Sequence, residues 1–149
     1  MGAVSFGQLV GQRLVALTAA VHEFDGQRND EPVHLWLHLD GLGAVQCHTS
    51  GSGALVLHAQ EPYPAYDMQE YGRVLVVNAG PPALAVHLSE RMESTTRLWQ
   101  EPPGMTVGVA LAFPAGAVGV ANLGDSLVIA TWPGVFPGMG VSEADDGQV

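Results

Sequence analysis

Val33-His34-Leu35-Trp36-Leu37-His38-Leu39-Asp40 alternates between two kinds of side chain without a break. Successive residues of an extended chain point to opposite faces, so Leu35, Leu37 and Leu39 share one face and His34, Trp36 and His38 the other. This is the pattern of a half-buried strand. Gly41-Leu42-Gly43 interrupts it, Ala44 to His48 resumes it, Gly51-Ser52-Gly53 breaks it again, and Ala54 to Ala59 supplies a third short apolar run. Glycine-marked breaks between short alternating runs predict a three-stranded antiparallel meander.

The same plan returns from Thr106. Val107, Val109, Leu111 and Phe113 alternate, Pro114-Ala115 turns, Gly116-Ala117-Val118 resumes, Leu123-Gly124 turns, and Ser126 to Ile129 closes the unit. Gly43-Ala44-Val45 aligns with Gly116-Ala117-Val118, and Leu55-Val56-Leu57 with Leu127-Val128-Ile129. A segment combining proline, an aromatic residue and methionine follows each copy, at 61–68 and at 132–139. Self-similarity at this spacing predicts an internal duplication.

The flanks are less periodic. Phe6, Val10, Leu14, Leu17, Val21 and Phe24 fit a helical stripe, while Val15, Leu17, Ala19 and Val21 alternate as in a strand. The reading adopted is an irregular segment or helical turn over 2–12 and a strand over 13–24. Residues 73–77 form a further short strand, and 82–90 a short helix. The β-branched pair Thr95-Thr96 favours a strand over 91–99. With about nine short strands the fold class is mainly β, all-β to α+β. Duplicated three-stranded meanders form a curved sheet, an open barrel or a sandwich, with at most two short helices. Residues 1–141 make one β-rich domain, its units at about 13–68 and 91–139, and 142–149 an acidic disordered tail.

Composition narrows the function. The 149 residues are 47% hydrophobic and 13% charged, which favours a compact fold over disorder. Fifteen acidic side chains face five basic ones, all arginine, for a net charge of −10. A polyanion would be repelled, so nucleic acid is not an expected partner, whereas a cationic protein surface suits this charge. Residues 102–124 carry no charge, but Pro114 and Asn122 make a poor spanning helix, and no membrane association is expected. The single cysteine, Cys47, and the absence of a signal-peptide pattern point to a cytoplasmic location.

Two constellations stand out. Of six histidines, His34, His38, His48 and His58 fall on the face of the first meander opposite its leucines, with Trp36 among them. The equivalent positions of the second copy hold Gly108, Ala110 and Ala112. His34 and His38 lie four residues apart on a strand, roughly 13 Å, too far to share a metal ion. An odd-length first loop places His38 opposite Gln46, Trp36 opposite His48, and His58 beyond Gln46. On that register no three imidazoles converge, so no metal and no cofactor is expected. The face then serves as an oligomer contact or as a small-ligand surface. The second constellation is the duplicated aromatic segment: Tyr63 and Tyr66, with Glu61 and Asp67, and then Trp132 and Phe136, are candidate partner-binding residues. The alternative is that these segments fold back to plug the open ends of the sheet.

No phosphate loop or nucleophile elbow is present, and Cys47 lies on the apolar face as a small buried hydrophobe. The expected function is a non-enzymatic cytoplasmic protein-binding module; small acidic immunity or inhibitor proteins and secretion chaperones share this composition. A small-molecule-binding β-barrel or barrel enzyme with a His/Trp-lined pocket is the second reading. A structural homo-oligomer packed through the Gly108, Ala110 and Ala112 face is the third.

Overall fold

The computed structural model describes residues 2–144. A 3-10 turn at Phe6–Leu9 leads into β1 (Leu14–Phe24), β2 (Gln27–Arg28), β3 (His34–Leu39), β4 (Gly43–Thr49) and β5 (Leu55–Ala59). After β6 (Tyr66–Asp67), a 3-10 turn at Gln69–Tyr71 and β7 (Arg73–Val77), the four-residue helix α1 (Pro82–Ala85) begins the crossing to the second half. That half comprises β8 (Ser94–Gln100), β9 (Met105–Phe113), β10 (Gly116–Leu123), β11 (Ser126–Thr131), a 3-10 turn at Phe136–Met139 and β12 (Val141–Glu143). The strands missed by periodicity are β2, β6 and β12, each two or three residues long and too short to show a period.

Both meanders form as expected, and the duplication extends further. The first sheet runs β5-β4-β3-β1-β7-β6, with β2 beside β1, and the second runs β11-β10-β9-β8-β12. In each copy a strand precedes the meander and pairs with its first member, and a later strand returns to pair on the other side of it. The flanking segments therefore belong to the repeat. Both sheets are open and antiparallel, and neither closes into a barrel.

The apolar faces of the two sheets share one core. Leu35, Leu37, Leu39, Val45, Cys47 and Leu57 from the first meet Val109, Leu111, Phe113, Val118, Val120 and Leu127 from the second. The copies also touch backbone to backbone at equivalent points. Arg13 and Arg91 form an antiparallel bridge, flanked by Met92 N donating to Gln12 O at 2.8 Å and Leu14 N donating to Glu90 O at 2.9 Å. Residues just before β1 thus pair with residues just before β8 in the reciprocal manner of a two-fold interface.

Three sequence expectations are corrected. The first hairpin is tighter than expected: Leu39 pairs with Gly43, which sets His38 opposite Ala44 and Trp36 opposite Gln46. The cause lies outside the hairpin. Gln12 Oε1 accepts from both Gly41 N (2.8 Å) and Leu42 N (3.0 Å), clamping a three-residue loop. The loop is odd in length, as expected, so the leucine face is preserved while every pair moves by two residues. Gln46 does pair with His58. The second correction concerns the expected tail, since Ser142 and Glu143 pair with Trp99 and Leu98. Residues 145–149 lie outside the described residues. The third concerns the small-residue face: Gly108 and Ala110 are buried, the outer side of this sheet being covered by Phe136 and its neighbours. It is not an open surface for packing a second sheet.

Candidate functional site

The outer face of the first sheet is where the copies differ most. Trp36 is fully buried there among Ala20, Ala44 and Val74, because residues 60–68 cross the sheet and lay Tyr63 over it. The Tyr63 and Trp36 ring centroids are 5.0 Å apart, edge to face. Tyr63 also sits 5.5 Å from the His34 ring and 5.7 Å from Tyr66. Its hydroxyl lies 2.5 Å from His34 Nδ1, a hydrogen bond between phenol and imidazole. Burial, and then the neighbouring Tyr66, push the Tyr63 phenol well above its ordinary pKa, which keeps it a donor.

The tightened register brings the histidines together. With Leu35 opposite Cys47, the next pair outward is His34 with His48, their rings 5.5 Å apart; the His48 and His58 rings are 5.0 Å apart. Three imidazoles thus form a row across β3, β4 and β5, where the expected register had kept them apart. They do not aim at one point. His34 Nδ1 takes the Tyr63 hydroxyl, and His58 Nε2 donates to Gln46 Oε1 at 2.6 Å. Among the described residues no three His, Cys, Asp or Glu side chains are arranged to hold a metal ion. His38 is turned away from the row and bonded through Nε2 to Thr18 Oγ1 at 2.8 Å.

The electrostatics of the row favour the neutral form. Burial lowers the His34 pKa, and the approach of His48 and His58 lowers it further. His48 is lowered by burial and by His58, against a smaller opposing effect of the Thr49 backbone. Two imidazolium charges about 5 Å apart would repel by roughly 3 kcal/mol at an effective dielectric constant of about 20, less where water screens them. Two buried polar atoms here lack partners, His48 Nε2 and Trp36 Nε1.

The duplicated aromatic segments do not plug the sheet ends; each lies across the outer face of its own sheet. In the second copy Phe136 is fully buried over Gly119, and so serves the fold and not a contact surface. Trp132 packs 5.5 Å from Phe136 and its Nε1 donates to Glu143 Oε2 at 3.3 Å. In the first copy Tyr63 is partly buried, while Glu61, Tyr66 and Asp67 are exposed.

Exposed aromatic surface concentrates at one end of the first sheet. Tyr71 is 66% exposed, Phe24 53% and Tyr66 45%. β1 ends at Phe24 in a two-residue turn, where Asp25 and Gly26 adopt positive φ and Phe24 pairs with Gln27. The Gln69–Tyr71 turn is held against β1 by His22 Nε2, which donates to Tyr71 O at 2.7 Å. Gly72 has φ +94° and packs against the Glu23 carbonyl so closely that no side chain fits there. The sequence reading ended a strand at Phe24 but did not single it out as a contact residue, although Asp25-Gly26 after an alternating run is a strong hairpin signal that places it beside an exposed turn.

The site and fold together define a class: a two-sheet antiparallel β protein of duplicated topology, with a divergent aromatic segment strapped over the outer face of each sheet. Comparison with protein-family models, curated proteins and solved structures finds no match to this chain.

Proposed function

We propose that this chain is a non-enzymatic protein-binding module that works in the cytoplasm and recognises a cationic protein partner. The observation that carries the reading is the exposed grouping of Phe24, Tyr66 and Tyr71 with Asp67 and Glu70 at one end of the first sheet. Large aromatic side chains are effective anchors when a partner desolvates them, and the surrounding carboxylates would select a basic counterpart and hasten its encounter. The arginines nearest this patch are already engaged, since Glu23 pairs with both Arg28 and Arg73. Glu61, Asp67 and Glu70 have no ion-pair partner among the described residues. Among the described residues there is no helix long and apolar enough to cross a membrane.

The His/Trp-lined pocket is disfavoured as a ligand site because the chain's own Tyr63 fills the space above Trp36. Capture from a lysate of the native cell tests the proposal. Wild-type protein should retain a basic partner that Tyr66→Ala/Tyr71→Ala protein loses and that raised salt releases. Equal recovery by both proteins would sink the proposal.

A further inference from the structure

The row of imidazoles beneath Tyr63 is a chemical feature that a static binding surface does not need. We propose that residues 60–68 form a pH-sensitive strap: protonation of the row lifts Tyr63 from His34 and Trp36 and so disturbs the surface that Tyr66 and Asp67 help to form. The consequence for partner binding rests on the function proposed above, whereas the opening itself does not.

Three features of the geometry carry the inference. First, Tyr63 covers His34, its hydroxyl bonded to Nδ1 and its ring 5.5 Å from the imidazole, so a charge placed on His34 is held out of water by the strap. Second, His48 Nε2 is buried with no partner, so a proton added to it would create a charged donor with no acceptor. Third, the rings stand 5.0 and 5.5 Å apart, so each charge added raises the cost of the next. All three strains are relieved by admitting water. Opening would also hydrate Trp36 Nε1, which has no partner in the closed form.

Among the described residues, the groups around the row include no carboxylate bonded to it, and the segment beside His58 brings only Gly2, Ala3 and Val4. β3 contributes His34 and Trp36, β4 contributes His48 and Gln46, and β5 contributes His58. The neighbouring positions of β1 and β7 are Ala20, Val74 and Val76, and His38 is held by Thr18. On the strap, Tyr63 faces the row and Tyr66 packs against Tyr63, while the carboxylates of Glu61 and Asp67 are exposed and act on neither His34 nor His48. Both histidines have pKa values lowered by the fold, so the closed form is favoured above their ordinary value of 6.5 and is lost as pH falls below it.

The test uses the full chain carrying Trp99→Phe and Trp132→Phe, which leaves Trp36 as the single tryptophan, excited at the red edge of its absorption where the three tyrosines do not absorb. Emission, acrylamide quenching and far-ultraviolet circular dichroism are followed from about pH 8 to about pH 5. The expected result is a red shift and stronger quenching of Trp36 on acidification while the sheet signal is unchanged. Adding His48→Asn, which cannot take up a proton, should move the transition to lower pH. Tyr63→Phe, which lacks the hydroxyl, should move it to higher pH while leaving Trp36 covered at pH 8. A Trp36 signal independent of pH would overturn the proposal. So would a shift that coincides with loss of sheet structure, or one that neither substitution displaces. Partner capture at both pH values then separates the two readings. Opening without loss of binding leaves the strap standing and removes its link to binding; no capture at either pH refutes the binding function alone.

Discussion

At the scale of single residues, glycine at position 119 is set by what lies above it. A methyl group there would stand 2.5 Å from the Phe136 ring, nearer than carbon atoms approach without displacement. The second copy thus accepts its aromatic cover by removing a side chain from the sheet, where the first copy spreads Trp36, Ala20 and Ala44 beneath Tyr63. Gly119→Ala should lower stability by about 1–3 kcal/mol through overpacking. Phe136→Ala should cost about 3–5 kcal/mol through the cavity it leaves. Denaturant unfolding of Gly119→Ala, Phe136→Leu and the double variant measures their coupling, and a double variant no more stable than the sum of the single costs would contradict the fit described. Cys47 offers a second check. It is 1% exposed, and burial pushes its thiol pKa up to about 12, so it should resist thiol reagents at neutral pH until the chain unfolds. Labelling as fast as a free thiol would contradict its place in the core.

At the scale of elements, short polar clamps fix what hydrophobic alternation leaves open. Asn122 is almost fully buried at the end of β10. Its Nδ2 donates to Ser50 O (3.1 Å) and Ala54 O (2.9 Å), and its Oδ1 accepts from Asp125 N (3.0 Å). One side chain therefore closes the β10–β11 turn and fastens it to the β4–β5 loop of the other copy. Asn122→Ala should destabilise by about 1–3 kcal/mol, since it removes all three hydrogen bonds of a buried amide, and thermal melting should show the loss. A change below about 0.5 kcal/mol would mean that water replaces the amide. Gln12 does the equivalent work for the first hairpin. Period and face of β3 and β4 were legible in the sequence, because leucine and valine alternate; the register was not, because a residue before β1 decides it. The Pro-aromatic segments were legible as a matched pair, but whether each covers a sheet or projects from it depends on the outer faces, which in turn depend on the register.

At the scale of the whole molecule, the two copies relate as subunits of a dimer joined by one crossing. The segment 78–81 lies between β7 and α1, so a cut there leaves the strand order of each sheet intact while dividing the shared core. Residues 1–79 and 80–149, produced together, should associate and recover the sheet signal, and each alone should not fold, having half a core exposed. Independent folding of either half would contradict the shared core. Stability should also fall with pH in two stages. The first begins below 6.5, where His34 and His48, depressed by the fold, take up protons. The second lies in the carboxylate range, where Glu23 and Asp40, held low chiefly by Arg73 and by the Arg13 backbone N–H respectively, lose their interactions. Denaturant midpoints across pH check both stages, and His48→Asn should shrink the first alone.

The sequence by itself determined that this is a duplicated β protein, which strand face is apolar, where the turns fall, and that histidine and tryptophan set one copy apart. Those properties follow from local alternation and turn chemistry, which act between near neighbours. The tertiary structure alone decided that His34, His48 and His58 form a row, that Tyr63 is bonded above it, that Phe136 is core, and that Phe24 joins Tyr66 and Tyr71 at one exposed end. Each of these rests on contacts between residues distant in the chain, such as Gln12 with Gly41 and His34 with Tyr63. A shift of two residues in one hairpin preserves every face and every period, yet changes which side chains meet.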